Sequence, residues 1–142
     1  MDRLEYYRKM YGKRNSFFCL LDMHVESVDT GHAKISMPIA ADKHVNMVNM
    51  LHGGAIMSLA DTAMGLSCLS AGKRVVSLAI TTNFISGAGL GEKMIATAEV
   101  VHTGNKTMVV DCNLKNVYNK LIAKVQGTFY IIDDYREVED FE

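Results

Sequence analysis

Between Ala55 and Ala71 nothing interrupts a helix, and Ile56, Met57, Leu59, Ala60, Ala63, Met64, Leu66 and Leu69 spread apolar groups over most of its circumference. A helix that is apolar nearly all round is a buried one. The rest of the chain must therefore supply a surface that wraps around it. Two turns in sits Asp61, a carboxylate at a depth where burial is expensive. That one polar residue makes the helix a candidate for chemistry as well as for the core.

The approach to the helix is equally marked: Asn46-Met-Val-Asn-Met-Leu-His52-Gly53-Gly54 runs straight into it. Gly54, Ser58, Asp61 and Gly65 follow one another at intervals of four, three and four, so they share a narrow stripe that is small or polar. Such a face lets a ligand or another backbone come close. The first helical amides have no partner inside the helix and favour negative charge beside Gly53 and Gly54. The plainer reading stands beside this one. Paired glycines often serve only as a tight helix entry, and a helical Asp often pairs with a neighbouring strand.

A chain of 142 residues is expected to form a single domain spanning 1–142, with no repeat and no linker. The net charge of −1 and the lack of a basic, aromatic-interleaved run argue against nucleic acid. No apolar run is long enough to span a bilayer, and the mixed charges of Met1–Arg8 lack the apolar centre of a signal peptide. Cys19, Cys68 and Cys112 are an odd number, far apart, which suits free thiols in a reducing cytoplasm. The histidines at 24, 32, 44, 52 and 102 never reach the spacing of a helical zinc site, so no metal is expected. Ten Met residues point to a pliable apolar interior.

In chain order, residues 2–14 read as a surface helix with Leu4, Tyr7 and Tyr11 on one side, the N-terminal helical segment being taken as 1–15. Ser16–Met23 leads toward the core. Extended runs follow at His24–Asp29 and His32–Ile39, with the turn Asp29-Thr-Gly31 between them and Pro38 near the second run's end. After the loop Ala40–Leu51 and the helix come Val75–Ser86, Lys93–Thr103, Lys106–Asn116 and Leu121–Ile132. Residues 107–114 alternate strictly, with Met108, Val110, Cys112 and Leu114 on the apolar side. Segment 133–142, six acids and one Arg, reads as a solvated tail. Five to six strands joined by short turns imply an antiparallel sheet, and burying the helix requires that sheet to curve around it. The fold class is α+β.

The pattern Asn46-x5-His52-Gly53-Gly54 followed by Asp61 resembles the hotdog-fold acyl-CoA thioesterases of the phenylacetate-degradation (PaaI-type) branch. The resemblance extends from about His24 to Ile132 and includes Asn83-Phe-Ile-Ser-Gly-Ala88, Gly91-Glu-Lys-Met-Ile-Ala-Thr-Ala-Glu-Val100 and Thr103-Gly-Asn-Lys-Thr107. It implies a central helix wrapped by the sheet, dimers with one continuous sheet, and pairing of two dimers into a homotetramer. It also implies a site shared between protomers, in which the amide of Gly53 faces Asp61 of the other chain. Asn46 and His52 then resemble positioning residues around the thioester, with Gly54 beside them. Ser77 resembles a helper near the nucleophilic water. Phe84 and the hairpin around Gly104 and Lys106 resemble the acyl-CoA channel and the coenzyme-facing surface. Two positions depart from the pattern: Asn49 stands where many members carry Gly, and Ser86-Gly87-Ala88 lacks the usual proline.

This chemistry suits hydrolysis of an aryl- or medium-chain acyl-CoA, with coenzyme A as part of the substrate and no separate cofactor. Gly53 N–H would polarise the carbonyl oxygen, and Asp61 would act as general base or as nucleophile. His52 competes as a base, although its place before the glycines suits orienting the loop. Cys68 shares the helix without an adjacent base and reads as a buried structural thiol. His24, His32, His44 and His102 read as surface groups. Two other classes are open: a hotdog acyl-CoA dehydratase or hydratase, and a non-catalytic acyl-CoA-binding protein.

Overall fold

The computed structural model describes residues 1–14 and 16–138. Helix α1 spans Arg3–Arg14 and α2 spans Ser16–Leu20. Strands β1 (His24–Asp29) and β2 (His32–Pro38) precede the central helix α3 (Gly53–Ser70). Strands β3 (Lys73–Phe84), β4 (Lys93–Thr103), β5 (Thr107–Asn116) and β6 (Leu121–Asp134) follow it. Asn15 and the acidic end, Glu139–Glu142, lie outside the described residues.

The six strands form one sheet in the order β1-β2-β4-β5-β6-β3, and every neighbouring pair is antiparallel. Helix α3 carries the chain from β2 to the far edge, so β3 is left with one side unpaired among the described residues. Bulges between Val25 and Ser27, between Val100 and His102 and between Ser77 and Ala79 bend the strands. The curved sheet encloses α3, which packs against all six strands. This is the hotdog architecture.

The interface between helix and sheet follows from side-chain size. Ala60 and Ala63 on α3 and Ala96 and Ala98 on β4 are wholly buried, and their small size lets the two backbones approach. Leu59, Met64 and Leu66 fill the remaining space, each contributing about 1.5–3 kcal/mol through burial. On β5, Met108, Val110, Cys112 and Leu114 all face this core, as the strict alternation requires. The helix is not enclosed all round, however. Gly54, Ser58, Asp61, Thr62 and Gly65 are only partly covered and Met57 is exposed, so the small-and-polar stripe is the open face.

Three expectations are corrected. His44 is fully buried: its Nδ1 accepts the Ala40 amide at 3.0 Å, and its Nε2 lies 2.7 Å from the Leu21 carbonyl oxygen, to which it donates. A ring occupied at both nitrogens is satisfied inside the protein, and here it ties the loop before α3 to the end of α2. The acidic segment is not simply a solvated tail. Asp133 and Asp134 extend β6 and pair with Arg74 and Lys73, while Glu137 accepts from Tyr7 (2.6 Å) and Arg3 (2.9 Å) on α1. Basic and phenolic groups on neighbouring elements give these carboxylates partners.

The methionine interior is also only partial: Met23, Met37, Met64, Met94 and Met108 are buried, whereas Met47, Met50 and Met57 are exposed.

Candidate active site

The entry to α3 has one role for each residue. His52 is the N-cap, with extended backbone (φ −69, ψ 138), and its Nδ1 accepts the Gly54 amide at 2.8 Å. The His52 carbonyl oxygen takes the amides of Ala55 and Ile56. Gly53 N–H has no hydrogen-bond partner among the described residues, so of the first helical amides it is the one left free. A helix start aims that free donor where negative charge is favoured. With its Nδ1 lone pair engaged, a neutral His52 carries its proton on Nε2 and presents a donor, which fits positioning better than proton abstraction.

Asn46 shapes the loop ahead of the cap. Its Oδ1 accepts from Val48 (3.0 Å) and Met50 (3.1 Å), leaving the Nδ2 amide as its available group. Asn49 has φ 58, the left-handed region that glycine adopts freely and Asn tolerates better than other residues. The departure from Gly at this position thus preserves the backbone shape. Gly53, Asn46, Ile56 and Phe84 line one pocket of about 450 Å³. An added Cβ on Gly53 would lie 3.2 Å from Phe84 Cζ, which shows how closely that ring covers the amide.

Asp61 lies in a different pocket, of about 350 Å³, with Tyr11, Phe17, Thr62, Gly65, Val76 and Ser77. Burial raises its carboxyl above the usual range, and a hydrogen bond with the Ser77 side chain partly opposes this. Ser77 and Phe84 are an odd number of residues apart on β3, so regular pleating would turn them to opposite faces. The bulge between Ser77 and Ala79 removes that conflict, and both side chains meet α3, Ser77 at Asp61 and Phe84 at Gly53. Within one chain, Gly53 and Asp61 are separated by about 12 Å of helical rise. The structure therefore divides the expected residues between two separate pockets rather than gathering them in one.

The hairpin holding Gly104 and Lys106 joins neither half. It lies beyond β6 from the Ser77 end of β3, since Thr107 pairs with Tyr130 and Tyr130 with Val76. Gly104 N donates to the Thr107 carbonyl oxygen at 2.8 Å, closing the turn. Nothing local in the sequence marks Tyr11 and Phe17 as neighbours of Asp61. The tyrosine stripe on α1 signalled burial, but nothing local linked it to Asp61.

Burial pushes the Cys68 and Cys112 thiols up to about 12, so both are inert, while Cys19 is exposed. Among the described residues, no group of three or more His, Cys, Asp or Glu is placed to hold a metal ion. No helix among them is long and apolar enough to cross a membrane.

The chain and its fold have known relatives. Residues 48–123 match the family model described as the thioesterase superfamily. The acyl-coenzyme A thioesterase PaaI of Escherichia coli is 36% identical over 107 residues, covering 75% of this chain and 76% of that protein. The structure of the E. coli PaaI protein from the phenylacetic acid degradation operon superposes with a TM-score of 0.85 at 31% identity, covering 92% of this chain and 94% of that one. A Streptococcus mutans protein, smu.793, whose structure holds acetyl CoA, superposes with a TM-score of 0.77 at 26% identity over 80% of this chain and 91% of its own. The chain belongs to the thioesterase superfamily, as a thioester hydrolase of the PaaI-type hotdog branch.

Proposed function

We propose that this protein hydrolyses the thioester of an aryl- or medium-chain acyl-CoA in a site shared by two copies of the chain. One observation carries the reading: the free Gly53 amide and the Asp61–Ser77 pair lie toward opposite ends of the unpaired edge strand β3. An antiparallel pairing of two such strands about a two-fold axis at Thr81 sets Ser77 opposite Phe84 of the partner subunit, because the extra residue at Leu78 leaves six ladder steps between them. Each half-site then completes the other. The exposed edge supports this pairing, because Val76, Leu78, Phe84 and Ile85 leave an apolar strand with open backbone groups. Exposed Met47 and Val48 on the loop before α3 offer a further apolar surface for joining two dimers into a tetramer.

In the assembled site the thioester carbonyl oxygen lies against the Gly53 amide. As the carbonyl carbon becomes tetrahedral the oxygen gains charge, and one preorganised donor is worth about 10²–10³ in rate. Asp61 of the opposite chain takes a proton from water as that water attacks, worth about 10²–10⁴. Burial suits it to this task, since a carboxylate with a raised pKa is a stronger base. Attack by Asp61 itself, through an anhydride that water then opens, uses the same geometry. Collapse of the tetrahedral species breaks the carbon–sulfur bond and releases the coenzyme thiolate. Asn46 Nδ2 and His52 hold the loop and thioester in place, with Gly54 fixing the cap. Lys106, at the hairpin with Gly104, offers a positive charge to the coenzyme phosphates.

A thiol-release assay over a panel of acyl-CoAs, run on wild type and Asp61→Asn, tests the reading. Release by wild type and a fall of at least about 10²-fold in the variant is expected. Undiminished turnover by Asp61→Asn would remove the carboxylate from the mechanism, and interconversion of enoyl- and hydroxyacyl-CoA without free thiol would indicate a hydratase.

A further inference from the structure

We infer that His44 is a positioning residue: its ring fixes the closed loop that carries Asn46 and His52, and so sets where the Gly53 amide points. The inference rests on the thioesterase reading above. Among the described residues that line the Gly53 and Asp61 pockets, His44 is not one, so it acts only through others.

Segment 44–52 is a loop closed on itself. The His52 amide donates to the His44 carbonyl oxygen at 2.8 Å, Val45 and Leu51 form an antiparallel bridge, and the Asn46 amide donates to the Met50 carbonyl oxygen at 2.8 Å. A loop tied in this way moves as one piece, and its two ends are fastened by different means. At the far end the fastening is backbone: the Leu51 amide donates to the Ala88 carbonyl oxygen at 2.7 Å, and Met50 bridges Gly89. At the near end it is a side chain. His44 is fully buried; its Nδ1 accepts the Ala40 amide at 3.0 Å and its Nε2 donates to the Leu21 carbonyl oxygen at 2.7 Å. Leu21 is in turn held by α2, its amide donating to the Phe17 carbonyl oxygen at 3.2 Å. Lys43 and Asp22 join the same two segments by a salt bridge at 2.7 Å, but their side chains are 33% and 44% exposed, and an exposed ion pair is a weak fastening. The buried ring, whose bonds are costly to leave unmade, is the strong one.

The place of His44 in the chain gives this fastening a catalytic consequence. Its carbonyl oxygen holds the His52 amide, and the Gly53 amide is the next along the backbone. A displacement of His44 therefore passes through one hydrogen bond to the donor that meets the thioester oxygen. Such a donor works only when preorganised where the negative charge develops. A misplacement of about 1 Å costs up to about 10²-fold in rate. Substrate contacts outside the loop are untouched, so the loss falls on kcat rather than on KM.

Three variants separate positioning from simple packing. His44→Gln carries an amide donor as many bonds from the backbone as Nε2, so it keeps the bond to Leu21 and gives up the one to Ala40. His44→Asn carries an acceptor in the place of Nδ1 and does the reverse. His44→Leu removes both. The experiment measures kcat and KM for phenylacetyl-CoA well below each variant's melting temperature, with intact sites counted by calorimetric titration with the phenacyl-CoA thioether, which cannot be hydrolysed. Hydrogen–deuterium exchange across residues 40–54 is followed in parallel. Per intact site, His44→Leu and His44→Asn should lose about 10- to 100-fold in kcat and exchange faster across 40–54, whereas His44→Gln retains both kcat and slow exchange. If His44→Leu does not fold, the order of Gln above Asn carries the test. Equal kcat in the Gln and Asn variants, or unaltered kcat in a folded His44→Leu, would overturn this inference and leave the shared site standing. Absence of thiol release from wild type would instead defeat the thioesterase reading, and the exchange rates would still decide whether His44 fixes the loop.

Discussion

If Gly53 and Asp61 act on one carbonyl from different chains, then two dead variants should rescue each other. The two perturbations are Asp61→Asn and Gly53→Pro. Proline removes the Gly53 amide hydrogen with little structural cost. Gly53 is the first helical residue, where proline is favoured, and the extended backbone of His52 (φ −69, ψ 138) is the conformation a residue before proline adopts. No hydrogen bond is lost, and the Phe84 ring 3.2 Å from an added Cβ need only shift by a few tenths of an ångström. Alone, Gly53→Pro should lose about 10²–10³ in rate and Asp61→Asn about 10²–10⁴, which correspond to roughly 2.7–4.1 and 2.7–5.4 kcal/mol of barrier. Chains mixed in mild denaturant and refolded should give about half heterodimers, each with one intact and one doubly defective site, so about a quarter of wild-type activity returns. The assay is thiol release on the mixture and on each parent, with native mass spectrometry to count heterodimers. Heterodimers that form yet stay at the parents' level would refute the shared site.

Further predictions concern the same residues. Because burial raises the Asp61 carboxyl above 3.8, its ionised form is costlier folded than unfolded, and stability present below pH 3.8 is lost as pH rises through the folded value. Asp61→Asn, which removes the half-buried charge, should therefore melt higher than wild type at pH 7, with the gain vanishing below pH 3.8. Melting curves across pH check the sign, and a destabilised Asn variant at pH 7 would contradict it. At the cap, His52→Ala should cost about 0.5–2 kcal/mol by freeing the Gly54 amide, whereas His52→Asn should recover most of this. Recovery of kcat by Asn, which cannot take up a proton in this range, would mark His52 as a positioning residue; loss of turnover in a fully stable His52→Asn would mark it as a base.

How far this architecture is legible depends on the range of the signal. The alternation through Thr107–Leu114 reports a one-sided sheet, and the uninterrupted run from Ile56 to Leu69 reports a helix, because each periodicity is local. The stripe Gly54, Ser58, Asp61, Gly65 likewise marks the face of α3 that stays open. His44 shows the limit. Its burial depends on the Leu21 carbonyl oxygen, supplied from far along the chain, so the residue looks like any loop histidine. The acids Asp133, Asp134 and Glu137 show it again, since their partners are Arg74, Lys73, Arg3 and Tyr7.

The candidate site divides in the same way. A loop entering a helix through His52-Gly53-Gly54, with an acid two turns on, is a pattern of neighbours in sequence, so the linear order alone determines the free amide and the half-buried carboxylate. Only the folded chain decides which residues meet them. An extra residue in β3 at Leu78 turns Ser77 and Phe84 to the same helix, and the docking of α1 and α2 brings Tyr11 and Phe17 to Asp61. A bulge depends on how one strand registers against another, and a docked helix depends on surfaces distant in the chain. Neither leaves a periodic trace in the residues themselves.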